Sequence, residues 1–325
     1  MKILSITAQK VDSTGSGVFL TELTRGFEKL GHQQAVVCGT TEDGVIRLPE
    51  SVALFPVVYN TQSLPFPICG MSDEMPYEST RYRDLTEEMT RQLYDAFRAK
   101  LTEAVAAFQP DVILCHHLYF LAALARELFP SIPVYGQCHG SDLRQIRKNS
   151  WQREEIIQNI RKLDGIFALH HQQKVDISEF FGIPEERIAV LGTGYNSHVF
   201  YRDETLRANR KDNKTRLIFA GKLSEKKGLY SLLRAMRLLP KPENYHLFLA
   251  GGYGNAEEYA QIRRLAETAP CHVTFYYCSI TRISTKPVTS KISMISELTL
   301  QIFMLPCLFI VFWAESSTRS PAEEI

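Results

Sequence analysis

Three short segments of this sequence combine residue types that suit phosphate groups and sugar hydroxyls. The first, Ser13–Gly17 (STGSG), lies between an opening apolar run and a helical pattern that starts at Val18. Its candidate contacts are Gly15, Ser16 and Gly17, because glycine permits close approach and the amides at a helix N-terminus favour phosphate. The competing interpretation is a tight turn whose hydroxyl residues only cap the helix. The glycine spacing of the dinucleotide fingerprint is absent.

The second segment, Gln137–Asp142 (QCHGSD), directly follows a short apolar run. Ligand contacts in parallel α/β folds lie at the carboxyl ends of strands. His139 can donate a hydrogen bond to a sugar hydroxyl, Gly140 permits close approach, and Asp142 can orient its neighbours. A single histidine at this place is often structural, but its clustering with glycine and aspartate favours a functional site.

The third segment, Ala220–Gly228 (AGKLSEKKG), separates another strand pattern from a helical one. Gly221 leaves the backbone unobstructed, and Lys222 and Lys227 place two cations beside a helix start. Such cations suit a diphosphate, which otherwise needs a metal ion to neutralise it. A solvated lysine-rich loop is the alternative. The next apolar run also ends in glycines, including Gly252, in a loop suited to close approach.

The histidine pairs His116-His117 and His170-His171 are the remaining candidates for metal ligands. Neither pair has an acidic or cysteine partner at ligand spacing, and adjacent residues of a strand point to opposite faces. The seven cysteines are scattered, without the close pairs of a zinc or redox site. The sequence therefore predicts core or surface histidines and no bound metal.

Short β-branched runs alternate with amphipathic helical patterns up to residue 201, which is typical of a parallel α/β sheet. The predicted strands are Ile3–Thr7, Ala35–Cys38, Val112–Cys115, Val134–Gln137, Gly165–Ala168 and Ile188–Leu191. The predicted helices are Val18–Leu30, Glu87–Phe108, Tyr119–Leu128 and Gln172–Phe181. The proline-rich stretch 44–77 is predicted to be an insertion over the sheet edge.

The same alternation restarts at residue 215, after a polar stretch (202–214) that has the composition of a linker. The sequence thus predicts two Rossmann-like domains, 1–201 and 215–277, with a ligand-binding cleft between them. The formal net charge of +1 gives no reason to expect nucleic acid as a partner. The short apolar start lacks the length and cleavage site of a secretory signal, which favours a cytoplasmic protein.

The stretch 278–325 departs from this alternation. Its apolar run, Leu298–Ala314, has roughly 17 residues, near the lower limit for a membrane span. Pro306 and Gln301 weaken that interpretation. The favoured hypothesis is an aberrant tail produced by a frameshift near Tyr276–Cys278, and sequencing the coding DNA would test it.

The chain resembles the family 4 retaining glycosyltransferases of the GT-B fold, from Met1 to about Phe275. The resemblance rests on the order and separation of the glycine turn and the segments LTRGFEKLGHQQAVV, PDVILCHH, HGSD, RIAVLGTGYNSHVF, FAGKLSEKKGLYSLLRA and FLAGGYGNAEEY. It implies metal-independent transfer, with retention, from a nucleoside diphosphate sugar to a glycan, lipid-linked or small-molecule acceptor. A peripheral position at the inner face of the membrane is left open.

By this resemblance, Lys222 and Lys227 bind the diphosphate, although the family usually has arginine at the first position. His139 lies near the transferred sugar, the Gly15–Gly17 loop near diphosphate and acceptor, and Gly194 belongs to a supporting turn. The family's acidic segment, E-x7-E, cannot be placed in this sequence, so the second domain is predicted to be incomplete. The alternatives are a non-catalytic remnant, a GT-B sugar-nucleotide epimerase and a nicotinamide oxidoreductase.

Overall fold

The computed structural model describes residues 1–11, 13–73, 75–197, 213–253 and 255–277, and the backbone of two further strands, Gln301–Leu305 and Leu308–Phe312. The chain divides into two compact units, Met1–Gly194 and Tyr195–Ile325. The predicted linker, 202–214, lies outside the described residues except for its last two positions. The predicted tail, 278–325, lies outside them except for the two further strands.

The first unit contains a seven-stranded sheet in which every neighbouring pair is parallel, in the order β3-β2-β1-β6-β7-β8-β9. Its strands are β1 (Lys2–Thr7), β2 (Gln33–Thr41), β3 (Ala53–Tyr59), β6 (Val112–His116), β7 (Val134–Gln137), β8 (Gly165–Ala168) and β9 (Ile188–Val190). Two short strands, β4 (Cys69–Gly70) and β5 (Thr80–Arg81), pair separately. The inner strand β1 is buried on both faces after its first residue, as expected where helices cover both sides. The α/β prediction is confirmed.

Six helices of this unit lie between the strands. They are α1 (Gly15–Lys29), α2 (Glu87–Phe108), α3 (Phe120–Leu128), α4 (Ser141–Lys148), α5 (Arg153–Ile160) and α6 (His171–Phe181). Short α4 and α5 are absent from the predicted set, because eight residues give too few turns for a clear helical period. Along α2, the fully buried Leu93, Phe97, Leu101 and Ala104 recur every three or four residues and contribute to the core.

Two sequence predictions in this unit need correction. The stretch 44–77 does not simply lie over the sheet edge, since it contains β3, the edge strand itself, paired in parallel with β2. In addition, α1 begins at Gly15 and not at Val18, so the glycine turn forms the first turn of the helix. Thr14 is the N-cap residue, and its hydroxyl accepts a hydrogen bond from the Gly17 amide at 3.1 Å.

The second unit has a smaller sheet in the order β12-β11-β10-β14-β13. Its elements are β10 (Thr215–Ala220), α7 (Leu229–Ala235), β11 (Tyr245–Gly251), α8 (Ala256–Glu267), β12 (His272–Tyr277), β13 (Gln301–Leu305) and β14 (Leu308–Phe312). The first three strands are parallel, whereas β14 joins β10 in the antiparallel direction. Both last strands lie within the predicted apolar run. Within the described residues, no helix has the length and hydropathy needed to span a membrane.

The cap of α1, the helix that follows the inner strand β1, is directly testable by substitution. Replacing Thr14 by alanine removes the hydroxyl that pairs with the Gly17 amide. We expect Thr14→Ala to lower the free energy of unfolding by about 1 kcal/mol in urea denaturation. Thr14→Ser keeps a hydroxyl and should retain most of the stability. Equal losses in both variants would mean that the cap does not stabilise the helix.

Candidate functional site

The order of the strands in the first unit creates a crevice beside β1. β2 and β3 lie on one side of β1, whereas β6 lies on its other side. The loops that follow β1 and β6 therefore leave the sheet in opposite directions, and ligands of open α/β sheets bind at such a reversal. Gln9 and the start of α1 follow β1, while His116 ends β6. We take this edge as the candidate site.

Three histidine rings meet at this edge of the sheet. The Nδ1 atom of His116 lies 3.2 Å from the Nε2 atom of His139, and the two rings stack with their centroids 5.4 Å apart. The ring of His117 lies 4.8 Å from that of His139. Phe19, on the first turns of α1, contacts His139 edge-on at 5.3 Å. The sequence analysis grouped His139 with Gly140 and Asp142, and it did not predict the contacts with His116 and His117.

Adjacent strand residues place their side chains on opposite faces, but His116 and His117 do not follow this rule, because His117 lies just beyond the end of β6. Its φ angle is +76°, a left-handed conformation that is costly for a residue with a side chain. The amide of His117 donates to the carbonyl of Gln137 at 3.0 Å, which holds the backbone there. Both rings consequently reach His139, although adjacent strand residues would point apart.

Burial keeps the cluster uncharged. Desolvation, reinforced by the neighbouring His117, lowers the pKa of His116 to about 3. Desolvation also lowers the pKa of His117, although the charge of Asp142 partly opposes that shift. Burial and the two other histidines hold the pKa of His139 well below its ordinary value. All three imidazoles are therefore neutral near pH 7, and they act as hydrogen-bonding groups without carrying charge.

The carboxylate of Asp142 holds the loops around the cluster in place. It is fully buried and accepts hydrogen bonds from the amides of Leu118 at 2.9 Å, His139 at 3.2 Å and Leu143 at 3.1 Å. The Leu118 and His139 amides donate to Oδ2, whereas the Leu143 amide donates to Oδ1, which also accepts from the thiol of Cys138 at 3.3 Å. Gly140, with φ +81°, precedes α4 in a conformation that favours glycine. Asp142 and Gly140 thus shape the loop that carries His139.

The glycine turn contributes open amides at two of its three positions. The Gly17 amide is occupied by Thr14, whereas the amides of Gly15 and Ser16 have no acceptor within the described residues. A Cβ atom added at Gly15 would meet nothing within 4 Å, so packing does not require glycine there. Ser16 also lies 3.5 Å from the side-chain oxygen of Gln9. Gly15 and Ser16 are therefore the better candidates for contacting an anion.

The predicted supporting turn and the second histidine pair follow strands other than β6 and β7. Gly194, with φ +65°, follows the edge strand β9, two strands beyond β7. His170 caps α6, since its Nδ1 atom accepts from the Gln173 amide at 3.1 Å. Across the part of the chain that the structure describes, no group of three or more side chains is arranged to hold a metal ion, the three histidines included.

In the second unit, the loops after β10 and β11 are in direct contact. The amide of Gly221 donates to the carbonyl of Ala250 at 2.9 Å, and that of Leu223 donates to the carbonyl of Gly252 at 2.8 Å. A Cβ atom at Gly251 would lie only 1.7 Å from the carbonyl oxygen of Gly221. Glycine at 251 is thus required by packing between the two loops.

The two predicted diphosphate lysines lie between β10 and α7. Lys222 follows Gly221 directly, and Lys227 ends a single 3-10 turn, Glu225–Lys227, which leads into the helix. Both side chains are half-buried. The turn is anchored by Glu258 of α8, whose carboxylate accepts from the Glu225 amide at 2.7 Å. The backbone around both cations is therefore fixed by hydrogen bonds.

The neutral cluster makes the first unit sensitive to acid. The unfolded chain binds protons on histidine below its ordinary pKa of 6.5, whereas folded His116 binds one only near pH 3. The unfolded state then holds more protons, so stability falls as the pH decreases through this range. We expect a loss of up to about 1.4 kcal/mol per pH unit for each buried histidine, measured by urea unfolding between about pH 6.5 and 5.

A variant isolates the contribution of one ring to this acid sensitivity. His116→Gln removes one titrating group and should make the pH dependence shallower. A free energy of unfolding that does not vary across this pH range would contradict the neutral cluster.

Comparison with solved structures identifies the fold. HepE from Anabaena, in complex with UDP and glucose, matches over 86% of this chain and 70% of its own, with TM-score 0.55 and 16% identity. Sucrose-phosphate synthase from Thermosynechococcus elongatus matches over 86% and 71%, with TM-score 0.56 and 15% identity. The lipopolysaccharide outer core galactosyltransferase WaaB, in its apo form, matches over 90% and 71%, with TM-score 0.57 and 13% identity. The chain has the GT-B fold of these glycosyltransferases.

No curated protein sequence matches the chain significantly. The family model named Glycosyltransferase Family 4 matches residues 13–199, which is more than half of the sequence. This stretch includes the start of α1, the three histidines and the loop that carries Asp142. The chain therefore belongs to Glycosyltransferase Family 4.

Proposed function

We propose that the protein transfers a sugar from a nucleoside diphosphate sugar to a glycan or lipid-linked acceptor. The observation that carries this proposal is the neutral histidine cluster at the strand reversal, inside the stretch matched by the family model. Uncharged imidazole nitrogens suit the hydroxyls of a sugar. HepE is similar in fold and was solved with UDP-glucose, which favours a uridine nucleotide as the first donor to test.

The charged part of such a donor requires cations, and the second unit offers them. We assign Lys222 and Lys227 to the diphosphate, with Gly221 and Gly252 permitting close approach of the backbone. Two ammonium groups compensate the charge that would otherwise require a metal ion. In the first unit, we assign His139 to the transferred sugar and the amides of Gly15 and Ser16 to the diphosphate or acceptor.

Family resemblance adds two further elements to the proposal, retention at the anomeric carbon and independence from metal ions. In such a reaction, the departing phosphate helps to deprotonate the acceptor hydroxyl. The fold is also similar to WaaG, which is involved in lipopolysaccharide biosynthesis, and to WaaB. This favours a lipid-linked acceptor over a small molecule. Incubation with UDP-glucose and lipopolysaccharide precursors, followed by mass spectrometry of the products, tests the acceptor class.

Removing one cation of the lysine loop should weaken donor binding. We expect Lys227→Ala to reduce the affinity for UDP by about 1.5–3 kcal/mol in isothermal titration, the scale of a charge-assisted hydrogen bond. Lys227→Arg keeps the charge and should bind more tightly than the alanine variant. Lys226→Ala, at the exposed neighbouring position, is the matched control. Unchanged affinity in a folded Lys227→Ala variant would overturn the phosphate assignment.

Removing the imidazole of His139 should affect turnover more than donor binding. We expect His139→Ala to lower kcat by at least about tenfold with little change in the Kd for UDP, because a group that acts mainly in the transition state contributes little to ground-state binding. The measurement pairs a donor-turnover assay with isothermal titration. A variant with weaker donor binding and unchanged kcat would make His139 a binding group only.

A non-catalytic remnant is the second candidate, because the family's E-x7-E segment cannot be placed in this sequence. The same two assays separate the candidates. UDP binding without turnover, across several donors and acceptors, supports the remnant. Consumption of the donor with no acceptor added supports a sugar-nucleotide epimerase.

A further inference from the structure

We propose that His116 is a positioning residue, which holds His139 in the tautomer that carries its proton on Nδ1. The consequence for catalysis rests on the proposed function, because it assumes that His139 contacts the transferred sugar. The tautomer itself does not depend on that assumption.

The contact between the two rings is specific to one nitrogen on each. The Nδ1 atom of His116 lies 3.2 Å from the Nε2 atom of His139, and the ring planes are inclined by only 17°. Phe19 borders both rings edge-on, with centroids 6.1 Å from His116 and 5.3 Å from His139. His116 is 2% exposed, so its ring is confined by its neighbours. Neither imidazole can rotate without losing this packing.

One proton must be shared between the two facing nitrogens, and the surroundings of His116 decide where it lies. The Nε2 atom of His116 is buried and has no hydrogen-bond partner within the described residues. A proton placed on that Nε2 would be an unpaired buried donor, whereas a proton on its Nδ1 is paired with His139. The lower-energy arrangement therefore has His116 donating from Nδ1 and the Nε2 of His139 accepting.

This arrangement leaves a single available nitrogen on His139. A neutral imidazole has one N–H group, and burial keeps His139 neutral because its pKa is well below the ordinary value. Its Nε2 lone pair is used by His116, so its proton must be on Nδ1. Within the described residues, Nδ1 of His139 makes no hydrogen bond, and it is not one of the buried polar atoms that lack a partner, so it keeps some exposure to solvent. His139 thus offers a hydrogen-bond donor, suited to a sugar oxygen, and no lone pair to serve as a general base.

The experiment measures the tautomer directly by long-range 1H–15N NMR of the 15N-labelled full-length protein. The signals of His139 are assigned by their loss in His139→Gln. In the wild type we expect a protonated Nδ1 and a bare Nε2. His116→Phe keeps a ring of similar shape without a donor and should shift the proton of His139 toward Nε2, since the bond made by one ring nitrogen fixes the other.

Two amide variants provide a matched pair. The shorter side chain in His116→Asn places its amide near the position of the imidazole Nδ1 and should retain the wild-type tautomer. The longer side chain in His116→Gln places its amide near Nε2 and should not. If His116→Phe fails to fold, this pair still answers the question. A proton on Nε2 of His139 in the wild type, or the same tautomer in every variant, would overturn the proposal.

Turnover is measured separately so that the two proposals can fail independently. With UDP-glucose as donor, His116→Phe and His116→Gln should lower kcat roughly tenfold at unchanged donor KM, and His116→Asn should recover most of it. If even the wild type has no turnover, the proposed function fails while the tautomer result stands. If turnover occurs and kcat is equal in all variants, the positioning role is wrong.

Discussion

The buried carboxylate of Asp142 is the constraint on which the histidine cluster depends. Parallel strands are joined only by long crossovers, so the loops that follow β6 and β7 have no short covalent link. Asp142 joins them, because one of its oxygen atoms accepts from both the Leu118 amide after β6 and the His139 amide after β7. Without this side chain, several buried N–H groups would lose their partner, at a cost of about 1–3 kcal/mol each. The position of His139 relative to His116 follows from that link.

The layered α/β architecture could be predicted from the sequence, because the spacing of apolar residues differs between strands and helices and indicates which face of each is buried. The α2 helix, Glu87–Phe108, has the predicted bounds, and strands β7 and β8 coincide with their predicted ranges. β3 could not be found in this way, since Pro56 interrupts a strand whose position at the sheet edge tolerates it. The predicted start of α1, Val18, is three residues too late, because the glycines of its first turn are typical of a loop sequence.

The histidine contacts show why site geometry is harder to predict than fold. The two neighbours His116 and His117 were assigned to opposite faces, a rule that holds only while the strand continues. The left-handed backbone of His117 ends that regularity, and the pairing of β6 with β7 brings His139 alongside. No local sequence pattern predicts the left-handed backbone of His117 or the pairing of β6 with β7. The glycines also cannot be told apart from local sequence. Gly251 is required by its contact with Gly221, whereas nothing in the packing of the described residues requires glycine at position 15.

The structural reason for each glycine helps to decide which of these positions are candidates for contacting a ligand. Where packing or a positive φ already explains a glycine, as at Gly251 and Gly140, its presence adds nothing to the argument for binding. Among the described residues, Gly15 lacks both explanations and its amide has no acceptor, and for these reasons we propose it as a position that contacts a ligand.

Each unit, taken by itself, has a charge pattern that suits one part of the proposed nucleotide-sugar donor. The histidine cluster of the first unit is neutral because burial opposes protonation. The loop of the second unit carries three lysines within six residues, Lys222, Lys226 and Lys227. A sugar is uncharged and is recognised by hydrogen bonds, whereas a diphosphate is anionic and is bound by cations. In the proposed function, a protonated His139 would attract the diphosphate as well as the sugar, so the desolvation that lowers its pKa favours contact with the uncharged part of the donor.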